Sequence, residues 1–95
     1  MTTIKTSSGF EYEIDPEAMD DMDVFEDIMM MENPDNNDAV KIAATNRVFR
    51  HILGPTQQKA LNKHLKALEG KVKISTYQRE IKEVFQQLGE LKKES

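Results

Sequence analysis

The sequence predicts an α+β fold that is mainly α: an N-terminal β-hairpin over residues 2–14, then about four amphipathic helices in one small bundle. Three observations predict it. Apolar and polar residues alternate on both sides of Ser7-Ser8-Gly9, helical spacing takes over after Pro16, and the breaks between helical stretches carry Pro34, Gly54-Pro55 and Gly70. With 95 residues, 38% hydrophobic and 32% charged, the composition is that of a single globular domain rather than a disordered segment.

In the hairpin, Thr2 to Thr6 and Phe10 to Ile14 are the β-prone runs, with Phe10, Tyr12 and Ile14 on one face and Glu11 and Glu13 on the other. An isolated hairpin is marginal, so helices must cover its apolar face. Asp15-Pro16 opens the first helix, read over 15–31, because the aspartate can accept from free backbone N–H groups and proline has no donor to lose at the first helical position. Its apolar line is Ala18, Met22, Phe25 and Met29, widened by Met19 and Ile28, with Asp20, Asp21, Asp23, Glu26 and Asp27 on the wet side. The turn-rich segment 32–38 is a loop.

The second helix, 38–53, has Val40, Ala44, Val48 and Ile52 on one line and Ile42, Phe49 and Leu53 on another; Gly54-Pro55 ends it. The third, 56–68, sets Ala60, Leu61, Leu65 and Leu68 opposite its lysines. After a short extended segment, Lys71 to Ile74, the pair Ser75 and Gln78 forms a capping box that starts the last helix, 75–92. Tyr77, Ile81, Val84, Phe85, Leu88 and Leu91 give that helix a wide apolar stripe.

Charge is split along the chain. Residues 1–38 hold twelve acids against one base, Lys5, a net of −11, whereas residues 39–95 hold twelve bases against five acids, a net of +7. Such polarity points to partners met through charged surfaces, and two readings stay open: the halves pair within one molecule, or they drive head-to-tail self-association into a homo-oligomer.

Chemistry is sparse. With no cysteine there is no thiolate zinc site, and His51 and His64 stand apart on helices without converging partners, so no catalytic, cofactor-binding or metal residue is assigned and the chain reads as no enzyme. Asp20-Asp21-Met22-Asp23 lacks the remaining ligands of a calcium loop, and the glycines are scattered rather than gathered into a phosphate cradle. The start lacks a leader-like apolar run and no stretch reaches the ~20 apolar residues of a membrane span, so a soluble, intracellular protein with no membrane partner is expected. Arg47, Arg50, Lys59, Lys63 and Lys66 on two successive helices offer an alternative, a small DNA-binding or regulatory protein. The acidic half disfavours nucleic acid, since it would repel phosphates nearby.

Met29-Met30-Met31 is the best hint of an interaction surface, because three consecutive helical residues cannot all point into one core. The rival reading is that they plug an irregular core at a helix end. Phe25, Met29, Met30 and Met31, with Phe49, are therefore the candidate protein-binding residues, an adaptable groove for an amphipathic client helix.

Three stretches carry a family resemblance: Thr6-Ser7-Ser8-Gly9-Phe10-Glu11-Tyr12-Glu13-Ile14-Asp15-Pro16-Glu17-Ala18-Met19-Asp20-Asp21-Met22; the Leu53-Gly54 break before Gln57-Gln58-Lys59-Ala60-Leu61-Asn62-Lys63-His64-Leu65; and Gly70-Lys71-Val72-Lys73-Ile74 before an amphipathic helix. In this order and size the chain resembles tail assembly chaperones of long-tailed, siphovirus-type phages and prophages of Gram-positive bacteria. The resemblance spans nearly the whole chain and carries no catalytic signature. It implies a protein encoded just upstream of the tape measure protein, coating that aggregation-prone helix, recruiting tail tube protein, working in the host cytoplasm and absent from the mature virion. It also implies that a longer frameshifted form can exist, which Lys92-Lys93 would permit through an adenine-rich codon run.

Overall fold

A computed structural model describes the backbone of residues 1–94 and the side chains of residues 1–90. Strands β1 (Thr2–Lys5) and β2 (Glu11–Ile14) pair antiparallel, with Thr2 opposite Ile14 and Lys5 opposite Glu11. Gly9 N–H donates to Thr6 O (3.0 Å) and Thr6 N–H to Phe10 O (3.3 Å), and Gly9 takes φ +87°, the left-handed residue that closes a three-residue hairpin loop. The alternation behaves as expected: Ile4, Tyr12 and Ile14 are buried and Thr3, Lys5, Glu11 and Glu13 are exposed. Both outer edges are tied down by glutamines, Gln57 making a reciprocal pair with the Glu13 backbone (2.6 and 3.0 Å) and Gln87 donating to Lys5 O (2.9 Å).

The acidic first helix is corrected. Asp15 does cap, accepting from Glu17 N–H (3.0 Å), but it opens only a 3-10 turn, Pro16–Met19. Asp21 then accepts from Asp23 N–H (2.8 Å) and starts α1 (Met22–Glu32) afresh. A second aspartate cap six residues after the first has reset the helical phase.

Helix α2 (Asp38–Glu69) runs as one element through the two stretches expected, with a kink between them, so three helical elements are counted in place of about four. The break is where the sequence puts it: Gly54 has φ +78° and ψ 163°, and Pro55 leads the second half. Asn37 caps the start (2.9 Å to Val40 N–H), and Gly70 ends the helix with its N–H on Lys66 O (2.8 Å). A Cβ at position 54 would meet nothing within 4 Å, so strain there is purely of the backbone. Gly54→Ala is expected to lose about 1–3 kcal/mol in urea unfolding, because that conformation is open almost only to glycine.

Helix α3 (Ile74–Glu94) starts one residue before the expected cap. Ser75 lies exposed in its first turn, Tyr77 N–H already bonds Lys73 O (3.0 Å), and Thr76 Oγ1 donates to Glu69 Oε1 (2.6 Å). The Thr76 hydroxyl, then Lys73, holds Glu69 below the usual carboxylate range. Lys71 to Lys73 form a linker rather than a strand.

The core gathers Ile4, Tyr12 and Ile14, Val24 of α1, Val48, Phe49, Ile52, Leu53, Leu61 and Leu65 of α2, and Ile81, Val84 and Leu88 of α3, with Tyr77 and Phe85 packed on it. Ala60 and Leu68, expected on the inner face of α2, are exposed, and Leu91 lies outside the described side chains.

Candidate functional site

Helix α1 is apolar on two sides. At 100° per residue, Val24, Ile28 and Met31 share one face, and Met22, Phe25 and Met29 share another on the order of 130° away. The first face meets the core: Val24 is buried, and Ile28 and Met31 pack against it half-buried. The second stays in water, with Met22 66%, Phe25 52% and Met29 55% exposed, and Met30, between the two faces, is 40% exposed.

The expected inward line Ala18–Met22–Phe25–Met29 is therefore overturned. Ala18 and Met19 do pack on the core, but from the 3-10 turn, and the restart at Asp21 turns Met22, Phe25 and Met29 outward. Of the five candidate binding residues, the fold leaves Phe25, Met29 and Met30 exposed: Phe25 and Met29 share a face with Met22, and Met30 stands beside Met29 at the end of the helix. Met31 is spent on the core. Phe49 is corrected outright: it is fully buried, parallel to the Tyr12 ring (centroids 6.3 Å, 6°) and edge-on to Tyr77 (4.8 Å, 74°). A residue clamped between the hairpin and α3 cannot line an open groove.

The surface is anchored from behind. Arg47 Nε donates to Asp27 Oδ1 (2.9 Å) while its Nη2 reaches Met30 Sδ (3.3 Å), tying α1 to α2. Asn36 Nδ2 donates to Met30 O (3.0 Å), satisfying a carbonyl of the last turn. Beside Met29 and Met30, Glu32, Asn33, Pro34 and Asn36 complete an open hollow of 460 Å³. Asp21 is held below the usual carboxylate range, first by the Asp23 N–H it caps and then by His51 (2.9 Å). Asp23, Glu26 and Glu32, spaced around the exposed face, make no ion pair among the described residues.

Both histidines have structural partners: His51 on Asp21, and His64, whose Nε2 donates to Ser8 O (2.8 Å). No group of three or more metal-ligating side chains occurs among the described residues, nor any helix long and apolar enough to cross a membrane. Of the basic residues on α2, Arg47 is engaged by Asp27, while Arg50, Lys59, Lys63 and Lys66 are exposed.

One polar cluster escaped the sequence reading. Glu80, fully buried on α3, accepts at Oε1 from Thr6 Oγ1 (2.5 Å), Tyr12 OH (2.7 Å) and Ser8 Oγ (2.8 Å), while its Oε2 is buried without a partner. Next to it Glu83 takes Ser7 N–H (3.2 Å) and Ser7 Oγ (2.8 Å). These carboxylates fasten the hairpin loop to α3. A signal was present, since Thr6 and Tyr12 fall on one face of the hairpin and Glu80 falls within the Tyr77–Ile81–Val84 stripe.

Comparison with protein-family models, with curated proteins and with solved structures gives no match in any of the three.

Proposed function

We propose that this chain is a non-enzymatic tail assembly chaperone of the kind its sequence resembles, binding and shielding the tape measure protein and helping to recruit tail tube subunits. One observation carries the reading: α1 fills its core contact with Val24, Ile28 and Met31 yet keeps Met22, Phe25, Met29 and Met30 in water. Burying one such side chain against a client is worth about 1.5–3 kcal/mol. Three or four suffice for reversible capture after the losses of association, which suits a protein that must later let go. Thioethers adapt to varied apolar sequences, and the rim of Asp23, Glu26 and Glu32 favours a client helix that carries lysine or arginine beside its apolar stripe. DNA binding through α2 is the weaker reading, because Arg47 is taken by Asp27 and the acids of α1 would stand near the phosphates.

Co-expression with the long tape-measure-type protein that the resemblance places immediately downstream tests the proposal. The client should become soluble and co-purify in high salt, and Phe25→Asp or Met29→Asp should weaken capture by about tenfold or more while leaving the chaperone folded. A client that stays insoluble, or is captured equally well by both variants, would sink it.

A further inference from the structure

Met1 aside, the large hydrophobic residues left exposed among the described residues fall in two places: the α1 face in the acidic half, and Leu68, Val72 and Ile74 at the junction of α2 and α3 in the basic half. The second place borders an open groove of 530 Å³. Its walls are Ile42 and Ala43 from the first half of α2, Asn62 from the second half, Val72 and Ile74 from the linker and α3, and Tyr77. Asn62 Oδ1 is buried there without a partner.

Charge surrounds the two places with opposite signs. Lys59 and Lys66 stand one turn to either side of Asn62, and Lys71 and Lys73 flank Val72, against Asp38 and Glu69. Among the described residues, only Lys73 of these four lysines is in an ion pair, with Glu69 (3.4 Å). The acids of the N-terminal half are equally unspent: of the twelve in residues 1–38, Asp27 and Asp21 alone pair, with Arg47 and His51, among the described residues. Neutralisation within one molecule therefore leaves most of the opposed charge facing outward. Nor can the α1 face fold onto its own groove, since α1 is held the other way round by Val24, Ile28 and Met31.

We infer that this protein self-associates head to tail, the Met22–Phe25–Met29 face of α1 from one copy seating in the Ile42–Val72–Ile74 groove of the next. Helix in groove is the mode that fits, with apolar anchors at i, i+3 and i+7. Glu26 and Asp23 then approach Lys71 and Lys59 or Lys66 of the second copy. Because the two surfaces differ, the contact is heterologous, and a row of copies leaves a free α1 face at one end and a free groove at the other. It goes beyond the client reading and does not depend on who the client is. It does make client and neighbour compete for the same α1 face, so an idle chaperone keeps its apolar surface covered.

An 11-residue helix contributing three anchors makes a small interface, so the contact is transient and belongs in sedimentation analysis over a wide concentration range. The wild-type chain alone should gain mass with concentration, and salt should weaken the gain. Phe25→Asp and Ile74→Asp, both at positions more than half exposed, should each remain at the mass of one chain up to concentrations about tenfold or more higher. An equimolar mixture of the two variants should reach twice the single-chain mass and no more, because only one intact face and one intact groove remain to meet. A wild type that stays monomeric throughout, a variant that associates like wild type, a mixture that stays monomeric or one that grows past two chains would each overturn the proposal. Should either variant unfold by circular dichroism, Met22→Asp and the pair Lys71→Glu, Lys73→Glu take their places. A monomer that still captures client through Phe25 refutes this contact and leaves the client reading standing; self-association without capture does the reverse.

Discussion

Replacing Phe49 with alanine is expected to cost about 3–5 kcal/mol in urea unfolding, the range for truncating a buried aromatic ring. Its ring is stacked on Tyr12 from the hairpin and set edge-on to Tyr77 from α3, so the truncation opens a void where three elements meet. A domain of 95 residues has a total stability of roughly 5–14 kcal/mol, and the loss takes a large share of it. Phe25→Ala, the same chemical change on α1, should alter stability by no more than about 0.5 kcal/mol, because that ring is half in water. Losses of similar size at the two positions would mean that α1 presents the other face to the core.

That pair of variants also marks where the sequence stops being legible. Periodicity says which residues share a face and is silent on which face meets the core. In the hairpin this hardly matters, because one face carries Tyr12 and Ile14 and the other Glu11 and Glu13. In α3 only one wide stripe exists, and Ile81, Val84 and Leu88 are buried as its spacing requires. Gly54-Pro55 and Gly70 likewise declare their breaks through backbone chemistry alone. Helix α1 has two apolar faces, and the choice between them depended on whether Asp15 or Asp21 set the phase. Both aspartates cap, which no count of apolar spacings reveals.

The candidate site shows the same division. That at least one of Met29, Met30 and Met31 must face water followed from helix geometry, and Met29 and Met30 do. That Met31 and Phe49 would be withdrawn depended on partners distant in sequence. The groove across α2 and α3 is also nonlocal: it exists because the linker after Gly70 brings Val72 and Ile74 back beside Ile42. Local patterns carry no record of such a return.

Glu80→Ala is expected to cost about 3–6 kcal/mol, since the buried hydroxyls of Thr6 and Tyr12 and the half-buried one of Ser8 lose their common acceptor at about 1–2 kcal/mol each. Glu80→Gln keeps an acceptor oxygen but puts an amide N–H₂ where Oε2 already lacks a partner, and should cost less, about 1–3 kcal/mol. Tyr12→Phe removes one donor for about 1–2 kcal/mol, and the double variant Tyr12→Phe, Glu80→Gln should lose less than the sum because the two groups share one bond. The network also makes an alkaline prediction. Burial first, and the Glu80 carboxylate second, push the Tyr12 phenol far above its usual range, and burial pushes Tyr77 up as well. The folded chain thus holds these protons more tightly than the unfolded chain. Their contribution is full below about pH 10, the unfolded tyrosine value, and is lost as pH rises beyond it toward the folded values. Stability measured by urea unfolding should therefore fall above pH 10 with a slope of about 1.4 kcal/mol per pH unit for each such proton, and Tyr12→Phe should leave only the share of Tyr77. An unchanged slope in Tyr12→Phe would mean that the phenol is neither buried nor donating to Glu80 in the folded protein, and the hairpin loop would then have to be held to α3 by Thr6, Ser7 and Ser8 alone.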